Sequence, residues 1–206
     1  MDDQFRERLE NARSHVESAR NTGDKTALAH ALKALGNIER RPPILRDAAL
    51  DTYAEAAQLY HELALSLDEG WVLRHIGIIH EYADRLQDAE KFYDRALSLF
   101  RSNADGNTLD YANTVRYPAV IKNRLGKREE ARLLWEEAAK RYKDVSAPAG
   151  EAEAAAWLTI FAMEGHDLKL AGSWFEKAKD AADRAGDKDT FKFIQDVRKR
   201  LEEAGA

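Results

Sequence analysis

Alanine, aromatic and alanine recur four times at one spacing along this chain. Ala49, Ala89, Ala131 and Ala171 are each followed four residues on by an aromatic (Tyr53, Tyr93, Trp135, Phe175), and three residues later by a second alanine (Ala56, Ala96, Ala138, Ala178). Upstream, Gly77, Ala119 and Thr159 each precede their alanine by twelve residues, and Gly36 precedes Ala49 by thirteen. Spacings of three and four keep side chains on one face of a helix. A small residue at a fixed place on two neighbouring stretches lets two helices cross closely. The motif is therefore a repeated pair of helices joined by a turn, and such a unit buries its apolar face only by stacking on its neighbours. Stacked pairs present an extended surface, which favours binding over catalysis.

Helical periodicity continues along the chain, no segment alternates as a strand does, and the four prolines are expected between the periodic stretches. Residues 4–21 form an opening helix with Leu9, Ala12, Val16 and Ala19 on one face, an unpaired half-repeat within residues 1–21. Asn21-Thr22-Gly23-Asp24 supplies a helix stop and the next cap. The repeats then cover 25–67 (25–40 with 44–67, across Arg41-Pro42-Pro43), 70–101 (70–83 with 87–101), 109–143 (109–124 with 127–143) and 150–185 (150–164 with 168–185). Gly126 falls in the third turn, and Asp167 is an N-cap. Residues 187–203 place Phe191, Ile194, Val197 and Leu201 on one stripe, as a capping helix requires. The chain reads as one domain, 1–206.

Charged residues make up 33% of the chain and its net charge is -5, which argues against a binder of duplex nucleic acid. Cysteine is absent, so disulfides, thiolate metal sites and a cysteine nucleophile are excluded. The start, Met1-Asp2-Asp3-Gln4, lacks the basic and apolar regions of a secretory signal, and the longest apolar run, Ala154 to Met163, is about half of a membrane span. A soluble, cytoplasmic protein is the expectation.

These residues resemble the tetratricopeptide repeat (TPR), whose pattern is W-x2-L-G-x2-Y followed by A-x3-F. The second unit carries the resemblance best, with Leu73-x2-Ile76-Gly77-x2-His80 and then Ala89-x3-Tyr93-x2-Ala96. The others match in register: Leu32-x2-Leu35-Gly36-x2-Glu39, Val115-x2-Pro118-Ala119-x2-Lys122 and Ala155-x2-Leu158-Thr159-x2-Ala162, each followed by its alanine and aromatic. The resemblance implies an all-α, TPR-like right-handed α-solenoid of four helical hairpins, with an extra amino-terminal helix and a carboxy-terminal capping helix. The period here is 40 to 42 residues where the common unit has about 34. The surplus is assigned after each second helix, at Leu65–Glu69, Phe100–Gly106 and Tyr142–Pro148. Long periods of this kind are similar to those of kinesin light chain. The proline that usually closes each unit is missing, as at Arg101.

The resemblance further implies a protein-interaction module that binds an extended peptide in a groove lined by the first helices. Lys33, Arg74 and Arg116 take the same place on three successive first helices, a series that Ala156 ends. Asn37, Arg40, Asn113, Asn123 and Arg124 add polar groups nearby, and Trp71, Ile78 and Tyr82 supply apolar anchors. Such a basic ladder suits an acidic segment, whose carboxylates paired donors can clamp. Against this stands the plainer possibility that these cations are solvated and paired with acids of their own helices, and that Trp71 packs on the preceding unit.

Signals for an enzyme are poor. None of the six histidines forms an H-E-x-x-H pair, and neither a glycine-rich phosphate loop nor a G-x-S-x-G turn is present, so no metal or other cofactor is expected. The net negative charge and the acidic fourth unit argue against nucleic acid, and no helix combines a basic face with a broad apolar one for a membrane. Two alternatives remain. One is a self-associating scaffold or homodimer formed through an edge or the closing helix, where Phe191 and Phe193 cannot share a stripe. The other is a receptor for a signalling peptide or small ligand.

Overall fold

The computed structural model describes residues 2–103 and 107–205, which form ten α-helices and one short 3-10 turn. They group into two compact units, residues 1–104 and 105–206. The first holds α1 (Asp3–Thr22), α2 (Lys25–Glu39), α3 (Arg46–Glu62), α4 (Ser66–Tyr82) and α5 (Leu86–Asn103). Here α2/α3 and α4/α5 are hairpins, α1 packs on α2, and α3 packs on α4. The second holds α6 (Leu109–Arg124), α7 (Arg128–Asp144), α8 (Pro148–Glu164), α9 (Leu168–Ala185) and α10 (Lys188–Glu203). Its hairpins are α6/α7 and α8/α9, α7 packs on α8, and α10 lies against both α8 and α9.

The repeated residues build the cores. All eight repeat alanines are fully buried, as are Tyr53, Tyr93 and Trp135, and Phe175 is buried. Close crossing explains the upstream small residue. A Cβ added at Gly36 would lie 2.6 Å from Tyr53 Cε1, and one at Gly77 would lie 2.5 Å from Tyr93 Cε1. The opening helix buries Leu9, Ala12, Val16 and Ala19, and the closing helix buries Ile194, Val197 and Leu201. Phe191 departs from the expected stripe and is half exposed.

Helix starts follow ordinary capping chemistry where the chain has room for it. Asp24 accepts from the amides of Thr26 and Ala27, Asp167 from Leu170, and Asp187 from Thr190. Gly23 ends α1 in the left-handed region at φ 72°. Elsewhere one three-residue reversal recurs. Its central residue is left-handed (Ala64, Asp84, Gly126, Ser146 or His166). The next amide then bonds to the carbonyl five residues back: Leu65 to Tyr60, Arg85 to His80, Lys127 to Lys122, Ala147 to Tyr142 and Asp167 to Ala162, at 2.8–2.9 Å. This is Schellman geometry, and four of its five left-handed residues are not glycine.

The reversal corrects where the long period was expected to be spent. The second helix of the first hairpin stops at Glu62, short of residue 67, and Leu65–Glu69 is the last residue of the reversal followed by the first turn of α4. Tyr142–Pro148 contains the end of α7, a reversal and the first residue of α8. The added residues lie in helices of about 17 residues and not in loops. Phe100–Gly106 falls partly on residues 104–106, outside the described residues. Pro118 is a second correction, since it lies inside α6 and not between elements. Having no N–H, it donates no hydrogen bond along the helix. The α2–α3 junction is the exception among the turns, a 3-10 segment at Pro43–Leu45.

Candidate functional site

In the first unit the candidate residues come from α2 and α4. Lys33 reaches from α2 to Asp68 on α4, with Nζ 2.7 Å from Oδ1, and its ammonium lies 4.6 Å from the centre of the Trp71 ring. Trp71 stacks on His75 one turn later, with ring centres 3.7 Å apart. His75 Nδ1 donates to the Trp71 carbonyl at 2.8 Å, so the neutral ring carries its proton there. Burial pushes the His75 pKa down to about 3, although the bond to Trp71 opposes the shift. Arg74 is buried, with its guanidinium 6.0 Å from the Trp71 ring. Asn37 accepts from Arg40 Nε at 3.0 Å and from the Tyr53 hydroxyl at 3.4 Å. Ile78 is 7% exposed, so it contributes to packing. Tyr82, at the end of α4, is 62% exposed, and Arg46 covers its ring at 4.5 Å.

In the second unit Arg116 on α6 forms a fork with Glu153 on α8, Nε and Nη2 donating at 2.6 and 2.8 Å. Burial alone would lower the Arg116 pKa, but the bonds and charge of Glu153 outweigh it, so the pKa is raised and the group stays charged. Asn113 accepts from the Tyr142 hydroxyl at 2.8 Å. These residues line a cavity of about 800 Å³, within the size range of ligand pockets. Trp157 forms its aromatic wall, stacked at 5.9 Å on Trp135 and 6.2 Å from Phe193 of α10. Asn113, Arg116, Glu153, Asp189 and Thr190 are its polar groups. Asn123 is turned to Arg128, accepting from Nη1 at 2.9 Å, and Arg124 is exposed at the end of α6. Neither lines the cavity.

Lys33 and Arg116 therefore stand as halves of ion pairs, each linking the first helix of one hairpin to the first helix of the next. Asp68 and Glu153 lie 35 and 37 residues beyond their partners, and a search along one helix does not find them. Trp157 and Phe193 were also missed. Trp157 is one turn beyond Glu153 on the expected stripe and could have been found there. Phe193 becomes visible only once α10 is seen to pack on α8. Among the described residues no cluster of three or more histidine, aspartate or glutamate side chains is placed to hold a metal ion, and no helix is long and apolar enough to cross a membrane.

Hairpins of buried alanine against aromatic, stacked through first and second helices, define an all-α TPR-like helical repeat. No family model and no curated protein matches the chain. Among solved structures it is similar to BtubC (BKLC) from P. vanneervenii, with 20% identity over 99% of this chain and 89% of that one and a TM-score of 0.70. It is also similar to a signal transduction ATPase with numerous domains, carrying a tetratricopeptide repeat sensor, from Pyrococcus horikoshii. There the identity is 16%, the coverage 96% of this chain and 34% of that one, and the TM-score 0.64. A third is the apo form of RapI, with 11% identity over 99% and 85% and a TM-score of 0.53. At these identities the likeness establishes the fold.

Proposed function

We propose that the chain is a cytoplasmic protein-interaction module that takes an extended segment of another protein against the first helices of its hairpins. The observation that carries this is the cavity of about 800 Å³ in the second unit, where an aromatic wall adjoins Asn113 and a half-buried ion pair. An aliphatic or aromatic side chain of the segment rests on Trp157 and Phe193, and the Asn113 amide donates to its backbone. Acidic residues of the segment replace Glu153 on Arg116, or Asp68 on Lys33, exchanging one carboxylate for another while the apolar contact supplies the gain. Selection of displayed random peptides tests this. Wild-type protein should enrich peptides with an acidic residue beside an apolar one, and Asn113→Ala and Trp157→Leu variants that melt normally should not. Equal enrichment on the variants, or none on the wild type, overturns the proposal.

Self-association is a second reading, favoured by one observation. Phe191 is 50% exposed and borders two small clefts between α9 and α10, of about 300 and 270 Å³. Sedimentation equilibrium of wild type and Phe191→Ser separates the two: a dimer lost on substitution supports the scaffold, and a wild-type monomer rejects it.

A further inference from the structure

Several arginines elsewhere in the first unit meet carboxylates, Arg20 with Glu55, Arg13 with Glu39 and Arg95 with Glu69. Three around the α2–α3 junction do not. Arg40 donates its Nε to Asn37. Arg46 lies against the Tyr82 ring, and its Nε is buried with no acceptor. Arg41 is exposed, and its side chain makes no hydrogen bond or ion pair among the described residues. The nearby acids do not pair with them. Glu39 is buried, accepts from the Thr52 hydroxyl at 2.7 Å and pairs with Arg13. Asp47 and Asp51 on α3 bond to none of the three.

The junction is also stiff. Pro42 and Pro43 fix two backbone angles, Leu45 N–H bonds to the Pro42 carbonyl at 3.1 Å, and Arg40 N–H bonds to Gly36 at 3.0 Å. Two apolar side chains stand out of the same region, Ile44 at 81% exposure and Tyr82 at 62%. A guanidinium over a tyrosine ring is drawn to the ring face and still carries N–H donors that a carboxylate can take.

We infer that this junction is a docking surface for an acidic segment of another protein, its carboxylates meeting Arg41 and Arg46 and an apolar side chain between them resting on Ile44 and Tyr82. Charge complementarity selects this occupant. Three cations on a chain of net charge -5 are too few for a nucleic-acid backbone or an anionic membrane, which draw on many dispersed positive charges. The site shares no residue with the cavity lined by Arg116 and Trp157, so it stands whether or not that cavity takes a peptide.

The test titrates the isotope-labelled full chain with a blocked synthetic peptide that alternates paired glutamates with leucine, and with its glutamine counterpart. Arginine Nε–Hε and backbone amide signals are followed by NMR. The glutamate peptide should shift Arg41, Arg46, Ile44 and Tyr82 saturably, and the glutamine peptide should not. Arg41→Glu changes an exposed residue and leaves the fold intact; it should weaken binding by about fivefold to tenfold. The cavity variant Trp157→Leu should bind as wild type does. Shifts centred on Asn113 and Arg116, equal binding of both peptides, or no saturation each overturn the inference. So does arginine-dependent binding of phosphatidylserine vesicles without peptide binding, which would assign the surface to a membrane.

Discussion

Gly77 and Gly172 are both helical glycines, and one added methyl group has opposite consequences at the two. At Gly77 the methyl would sit 2.5 Å from Tyr93, whose ring is fully buried and whose hydroxyl is held by Glu81 at 2.8 Å, so the ring cannot retreat. Gly77→Ala should cost about 2–3 kcal/mol. At Gly172 nothing lies within 4 Å, and Gly172→Ala should add about 0.5–1 kcal/mol through backbone entropy. Urea midpoints of the two variants should move in opposite directions, and a shared direction would exclude close approach as the cause. His75 is a further case where burial sets the outcome. Its folded pKa of about 3 lies below the ordinary 6.5, so below pH 6.5 the unfolded chain binds a proton that the folded chain refuses. Stability is therefore lost as pH falls from about 6.5 towards 3. This single group should remove about 2–3 kcal/mol between pH 7 and pH 4.5. Urea denaturation at both pH values should show a steeper acid loss for wild type than for His75→Gln, and equal losses would assign the acid sensitivity to other groups.

Helix length and reversal together set the period at the scale of elements. Gly126 has φ 74° with open space around it, so Gly126→Ala tests backbone strain alone and should cost about 1 kcal/mol in a denaturant titration. Ala64 occupies the same conformation with a side chain, at φ 56°, and Ala64→Gly should return about 0.5–1 kcal/mol. The helices themselves were legible in the sequence because spacings of three and four act within one element. Leu9 to Ala19 and the four alanine–aromatic sets therefore fell where expected. The reversals were not legible, since Ala64, Asp84, Ser146 and His166 do not advertise a left-handed backbone. The sequence stripe brought out Lys33, Arg74 and Arg116 as candidates but not their pairing. Which carboxylate meets which cation depends on which helices become neighbours, and that information is spread over 35 to 37 residues. Ile78 shows the same limit from the other side, because its burial, at 7% exposure, is not visible in a stripe read along one helix.

On the scale of the whole molecule, the grouping into two compact units predicts how the chain tolerates division. A polypeptide of residues 1–104 contains α1 to α5 and a continuous core from Leu9 to Ala96. It should keep its helical circular dichroism and unfold cooperatively in urea, because repeat stability is a sum of local and nearest-neighbour terms. A fragment without a cooperative transition would show that its core depends on the other half. The recurring reversal has a mechanical consequence as well. Where the reversal joins successive helices within a unit, three residues connect them and their hydrogen bonds run along the helix axes, with no strand ladder among the described residues to be sheared. Tension applied at a chain end should peel off one helix and its reversal at a time. Each step would release about 20 residues and about 70 Å of contour length. Such a chain would yield in a series of similar small steps instead of one rupture, acting as a spring whose extension is counted in helices.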